Sequence, residues 1–396
     1  MRTNEQGFIL VTILLVIALL FPLILAFNAK VQLNLVQAAN FRNSIQALRI
    51  ARSGVEGAIA ILKEDDPSYD AKTSKWALPF PSLAIGDGIL SVAVTDEDGK
   101  LPINNLVTTV KSNQAGGAST AAGGPGAAPG SANAGSAGVA PGSANAGGQA
   151  AATGSGGSNA AGGSNAASGS NAASGSNALS STTNTAKGGG VIQQAVDKDL
   201  DARLRSLISQ LGGKPEIVDA LIDWLDADDD VTGTGGAEED YYKPLGYDCK
   251  NGPLDSLDEL LLVKGFDKEL LIEKNLKDYL TIAPTDGKVN LNTAPVPVLN
   301  VVLGTQTTSL PQPMSESDIQ NLVQYRDEHD LKDVKDIVSA VKISQSEAGM
   351  ATPLVKVNSA YFTVHSKCTI DKVVKNVEAL LKRDGTTVTI ISWREF

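Results

Sequence analysis

Residues 8–27 read FILVTILLVIALLFPLILAF, twenty positions without a charge. About 20 apolar residues is the length at which a helix crosses the hydrocarbon core of a bilayer. A membrane span at the start of the chain is therefore expected. A secretory signal would place small residues in an A-x-A-like site after a shorter apolar run, whereas here Pro22 interrupts the run and Asn28 and Lys30 follow it. The apolar segment is expected to be retained, either as a plain anchor or with cleavage ahead of it, where the polar leader MRTNEQG ends in Gly7 directly before Phe8.

Beyond the span the helical pattern continues to Pro67. Val31, Leu35, Ala38, Ile45, Leu48, Val55, Ile59 and Leu62 recur near helical spacing, opposite Arg42, Arg49, Arg52 and Glu56. Gly54 and Gly57 in that seam argue against a juxtamembrane coiled coil. After Trp76 the alternation in LSVAV and the turn IGDG predict a hairpin. Residues 112–186 then carry no charged or aromatic side chain, and APGSANAG and GSNAAS each recur. Such a tract buries too little apolar area to offset an ordering cost of about 1–2 kcal/mol per residue, so a disordered linker is expected over 113–190.

From residue 191 to 348 the periodicity is helical. Helices are predicted at 195–211, 215–225, 256–263, 268–275, 296–303, 316–327 and 334–341. Pro215, Ser256 and Ser315 supply start signals. Alternation returns in SAYFTVHSKCTI, VVKNVEALLKRDG and TTVTIISWREF, predicting three antiparallel strands within 349–396 that complete the sheet begun before the linker. The fold class is α+β.

The composition excludes several chemistries. With 33 Lys and Arg against 44 Asp and Glu the net charge is −11, which disfavours nucleic acid as a partner. Two cysteines and two scattered histidines make a zinc site a poor expectation. His329 and His365 have no recognisable nucleophile partner, and GxSxG, Walker and HExxH patterns are absent, so no catalytic residue is assigned and no enzyme is expected. The sharpest local feature is eight carboxylates between Asp223 and Asp240 without one Lys or Arg. Crowded carboxylates are either solvated or bridged by a hard cation, and oxygen donors favour calcium. Asp226, Asp228 and Asp230 begin like an EF-hand loop, but Val231 stands at the required glycine and Ala237 at the bidentate glutamate. Cys249 and Cys368 are either a disulfide or two buried thiols.

The leader, the Gly7-Phe8 junction and the long helix resemble class III prepilins, in which a prepilin peptidase cuts after the glycine and methylates the next residue. Pilins of that class carry a glutamate at the fifth mature position; here it is Thr12. That departure, with LIDWLDADDD, GAEEDYY, NGPLDSLDELLLVKGF, GKVNLNTAPVPVL and IQNLVQYRDEH in matching order, resembles the K-class minor pseudopilins of type II secretion. The resemblance implies a pilin-like long helix on an antiparallel sheet with an inserted all-helical, SAM-like or helix-hairpin-helix-like domain. The implied organisation is leader 1–7, span 8–27, pilin helix and first strands 28–112, linker 113–190, helical domain 191–348 and final strands 349–396. It also implies structural calcium in the acidic loop, with Asp226, Asp228, Asp230, Glu238, Glu239 and Asp240 as candidate ligands. The implied role is the pseudopilus tip, assembled with I- and J-class minor pseudopilins, anchored in the bacterial inner membrane with its bulk in the periplasm. Two alternatives are a type IV pilus-like tip adhesin and a DNA-binding helix-hairpin-helix protein, the latter because VNLNTAPVPVL and LDELLLVKGF resemble halves of that motif.

Overall fold

The computed structural model of the protein describes residues 5–110, 179–185, 191–342 and 345–396. The expectation of a disordered linker over 113–190 lies outside the described residues except at Leu179–Thr185, which is a paired strand instead.

One helix, Glu5–Glu64, runs through the apolar segment and far beyond it. Phe8–Glu64 is long and apolar enough to cross a membrane, with a mean hydropathy of 3.2 in its most apolar window. Residues 8–27 are exposed along their whole length, as lipid-facing side chains must be in the isolated chain. Thr12 answers its own hydroxyl locally, donating to the Phe8 carbonyl at 2.9 Å. From Ala47 onward one stripe is buried, comprising Ala47, Ile50, Ala51, Val55, Ala58, Ile59 and Leu62. Its 3–4 spacing is the face laid on the sheet. Small residues let helix and sheet approach closely. A Cβ on Gly54 would stand 2.3 Å from the Ser366 hydroxyl oxygen, and that hydroxyl donates to the Ala51 carbonyl at 2.7 Å.

The sheet has five antiparallel strands in the spatial order Leu83–Ile85, Gly88–Asp96, Tyr361–Ile370, Val373–Asp384 and Thr387–Glu395. The predicted hairpin and the three C-terminal strands are thus present, paired across more than 250 residues of intervening sequence. Phe362, Val364, Cys368 and Ile370 point under the helix, and Trp76 closes the core edge-on against Phe362 at 5.0 Å.

The inserted lobe has its own core. Its main helices are Lys198–Gln210, Ile217–Leu225, Val296–Gly304 and Glu316–Glu328, with a 3-10 segment at Leu257–Leu262 and a wider π turn at Glu269–Glu273. Ser315 caps as its spacing predicted, accepting from the Asp318 N–H at 3.2 Å. Three boundaries differ from the sequence reading. Val191–Asp197 is a strand, not a helix start; it pairs with Val107–Val110 and with Leu179–Thr185, and Asp197 then caps the helix that follows. The lobe therefore adds a small sheet and two short parallel ladders to its helices. Leu101, Ile103 and Leu106 are buried in the lobe core, so the lobe begins near residue 100 rather than after 112. Val355–Lys356 pairs with Val289–Asn290, so the final sheet strands begin at Tyr361 rather than 349.

A buried polar network joins lobe to sheet. Asp70 accepts from the Trp76 indole N–H (2.9 Å), the Ser359 N–H (2.7 Å) and the Arg383 guanidinium. Asp96 accepts from Ser359 Oγ (2.6 Å), Thr293 Oγ1 (2.5 Å) and Asn290 Nδ2 (3.1 Å). Asp98 accepts from the Ala360 and Tyr361 N–H groups and from Lys356 Nζ. Groups so deeply buried stay charged or polar only because they are satisfied.

Candidate functional site

The acidic loop hangs from helix Ile217–Leu225, every residue of which is buried. Asp219 and Asp223, one helical turn apart, therefore project from a buried face and meet the loop as it folds back. Asp223 accepts the Thr232 N–H at 2.9 Å with one oxygen and the Ala237 N–H at 2.7 Å with the other. Asp219 accepts from the Thr234 and Gly235 N–H groups at 3.1 and 3.0 Å and from Arg205 at 2.6 Å. The loop passes so close that a Cβ on Gly235 would stand 2.0 Å from the Glu216 carbonyl oxygen, and one on Gly236 2.4 Å from Asp223 Oδ2. Lys264 Nζ donates to the Gly236 carbonyl at 2.8 Å and lies over the Tyr241 ring. Trp224, Tyr242 and Tyr247 pack edge-on and tilted beneath the loop, with Trp224 Nε1 bonded to Glu259 at 3.0 Å.

The six candidate ligands divide. Asp226 and Glu238 are only 7% and 5% exposed, and among the described residues Asp226 Oδ1 and both Glu238 carboxylate oxygens have no hydrogen-bond partner. Burial, followed by the charges of Asp228, Asp223 and Asp230, pushes the Asp226 carboxyl up to about 8. Burial, followed by Asp223 and Asp226, does the same to Glu238, also to about 8. Asp228 is half-buried and accepts the Asp230 N–H at 2.9 Å, and its carbonyl accepts from Asn251 Nδ2 at 3.2 Å. Asn251 Oδ1 is a further buried oxygen without a partner. Asp230 and Asp240 are exposed, and Glu239 is ion-paired with Lys243. Among the described residues no three His, Cys, Asp or Glu side chains form a ready-made metal cluster. What the loop does offer is hard oxygen donors, buried and unanswered, which suits a hard divalent cation completed by carbonyls and water.

Asp219 and Asn251 were not singled out from sequence. The four-residue step from Asp219 to Asp223 was the available signal for the first. Cys249 and Cys368 are both free thiols in this structure, which corrects the disulfide alternative. They sit in different cores, Cys249 against the Asp223 carbonyl at 3.5 Å and Cys368 under the long helix. Burial, then the Glu238 charge, pushes the Cys249 thiol up to about 12.

Because Asp223 answers two loop N–H groups at once, Asp223→Ala leaves both without an acceptor. It is expected to destabilise the lobe by about 2–4 kcal/mol in urea unfolding. A loss below about 1 kcal/mol would mean that the loop is held by other contacts.

Residues 177–285 match the family described as type II secretion system (T2SS), protein K. A curated relative, type II secretion system protein K of Pseudomonas aeruginosa, is 36% identical over 117 residues, covering 28% of this chain. The match spans about a third (34%) of that relative's length. A chain of the crystal structure of the GspK-GspI-GspJ complex from the enterotoxigenic Escherichia coli type 2 secretion system superposes with a TM-score of 0.55 at 15% identity. It covers 91% of this chain and 99% of that one, so the likeness is one of fold across nearly the whole molecule. Residues 177–285 are thus a domain of the type II secretion system protein K family, carried on the long-helix and sheet fold of that solved chain.

Proposed function

We propose that the whole chain is a K-class minor pseudopilin, seated at the tip of the type II secretion pseudopilus and initiating its assembly with I- and J-class partners. In this reading it is held in the inner membrane by residues 8–27, with the sheet and lobe in the periplasm. The observation that carries it is the placement of the lobe. Asp70, Asp96, Ser359 and Arg383 tie it to the end of the sheet farthest from the span, where a further pilin subunit would otherwise stack. The protein K match over 177–285 and the GspK-GspI-GspJ fold likeness support the same reading. Leader removal after Gly7 and methylation of Phe8 belong to it. So does a structural calcium ion held by Asp226 and Glu238, with Asp228 and Asn251 beside them. Bound calcium would supply the positive charge that the two buried carboxylates lack.

The DNA-binding alternative is disfavoured by its own hairpin. A Cβ on Gly265 would stand 2.5 Å from Ile217 Cγ2, and Lys264 is committed to the Gly236 carbonyl. That turn is packed against Ile217 and its lysine is already engaged, which leaves neither for a phosphate.

Deletion of the chain from its host is expected to abolish secretion of folded proteins across the outer membrane. Wild type should restore it, whereas Gly7→Glu should not, and its extracted N-terminus should stay at Met1 instead of methylated Phe8. Intact secretion with lost surface attachment would instead identify a pilus adhesin.

A further inference from the structure

The lobe closes one end of the sheet; the end nearer the membrane is open. At that base the face turned away from the helix carries an apolar group. Thr369 pairs with Ile89 on one side and Val374 on the other, and its neighbours Cys368 and Ile370 are the ones buried under the helix. Phe396 exchanges backbone hydrogen bonds with Asn376, two residues along the same strand from Val374. Ile89, Val374 and Phe396 are 55%, 43% and 56% exposed. Three such exposed side chains clustered on one sheet face are more than scattered surface residues.

Charge at the base is opposite to that of the chain. Arg42, Arg49, Lys367, Lys372, Lys375 and Arg394 gather there, and none makes an ion pair among the described residues. The acids at this end are Asp87, Asp371, Glu378 and Glu395, the last ion-paired with Arg52 at 2.7 Å. Asp371 is held by Asn43 Nδ2 at 3.0 Å, and Glu378 lies 3.4 Å from His365 Nδ1. A chain of net charge −11 thus carries a locally basic base, while its acidic loop is in the lobe at the other end.

We propose that this base, with Ile89, Val374 and Phe396 at its centre and Lys367, Lys372 and Arg394 at its rim, docks the acidic face of a shorter pilin-type subunit rising from the same membrane. The inference rests on the pseudopilin reading. Height separates a protein occupant from lipid headgroups. Residue 27 ends the span and the helix first touches the sheet near Asn43, so about 24 Å of helix lies between bilayer and base. A neighbouring anchored subunit fills that interval; headgroups do not reach it. Exposed apolar side chains with a charged rim are the anatomy of a protein interface, in which rim charges select the partner and set its rate of arrival.

The test uses the full chain in nanodiscs of zwitterionic lipid, with the I- and J-class partners of the same system presented in solubilised form. Wild type is expected to bind them with an affinity that weakens as salt rises. K367E/K372E/R394E should bind about tenfold more weakly. Its melting temperature should stay within a few degrees of wild type, because none of the three side chains makes a hydrogen bond or ion pair among the described residues. The one cost is that R394E places a carboxylate opposite Glu378, its cross-strand neighbour. Val374→Ser with Phe396→Ala should weaken binding without changing the salt dependence. Wild-type affinity in the charge-reversed variant overturns the proposal alone. So does a loss seen only in anionic discs, which would assign the patch to lipid. If wild type binds neither partner, the pseudopilin reading and the docking face fall together.

Discussion

Arg383→Met is expected to cost about 3–5 kcal/mol, because it removes one member of a buried charge pair and leaves the other behind. Asp70 is wholly buried and Arg383 is 4% exposed. The guanidinium bonds to Asp70, donates to the Ser359 carbonyl at 3.0 Å, lies over the Phe362 ring at 4.9 Å and comes within 4.0 Å of Asp65. Burial already pushes the Asp70 carboxyl above its ordinary value, against the pull of Arg383. Without the arginine that rise grows. A carboxyl whose folded pKa exceeds its unfolded one stabilises below the unfolded value and loses that contribution as pH rises toward the folded value. The defect should therefore be deeper at pH 8 than at pH 5 in urea unfolding of the solubilised chain. Asp70→Asn in the same background removes the stranded charge and should recover part of the loss. An Arg383→Met variant within about 1 kcal/mol of wild type at both pH values would show that the joint between lobe and sheet does not depend on this pair.

That joint also marks where sequence reasoning stops. The long helix was legible because twenty apolar residues and a 3–4 stripe are local patterns. The hairpin and the last three strands were legible because alternation and Gly turns are local too. The pairing of Asp70 with Arg383, 313 positions apart, or of Asp96 with Asn290 and Ser359, has no local signature. The same holds for Val191–Asp197. Its helical-looking composition gave way to ladder bonds with Val107–Val110, a partner far back in the chain. In the acidic loop the sequence identified the right stretch but not the division of labour. Eight carboxylates read alike in one dimension. In three, Asp219 and Asp223 are consumed by backbone N–H groups, Glu239 by Lys243, and only Asp226 and Glu238 are left buried and unanswered.

That division yields the second large effect. In metal-free chain the Asp226 and Glu238 carboxyls are each pushed up to about 8, by burial first and then by neighbouring carboxylates. Unfolded carboxyls titrate near 4, so between about pH 4 and 8 the folded lobe binds protons that the unfolded chain does not. Metal-free stability should thus be highest on the acid side and fall as pH rises to 8. Glu238→Gln removes one of the two charges and should stabilise the metal-free lobe at pH 8, with little effect at pH 5. Calcium should act in the opposite sense. At a hundredfold excess over its dissociation constant a ligand of the folded state contributes about 2.7 kcal/mol, and here most of that should appear above neutral pH, where both carboxylates are ionised. Trp224, packed against Tyr242 and Tyr247 under the loop, provides a fluorescence readout independent of melting. Asp226→Asn with Glu238→Gln should abolish the calcium response while leaving a folded lobe, because neither side chain makes the bonds that hold the loop. Calcium insensitivity of wild type together with a flat pH profile would reduce the loop to a solvated acidic turn. A steep pH profile without calcium binding would keep the buried pair and discard the ion.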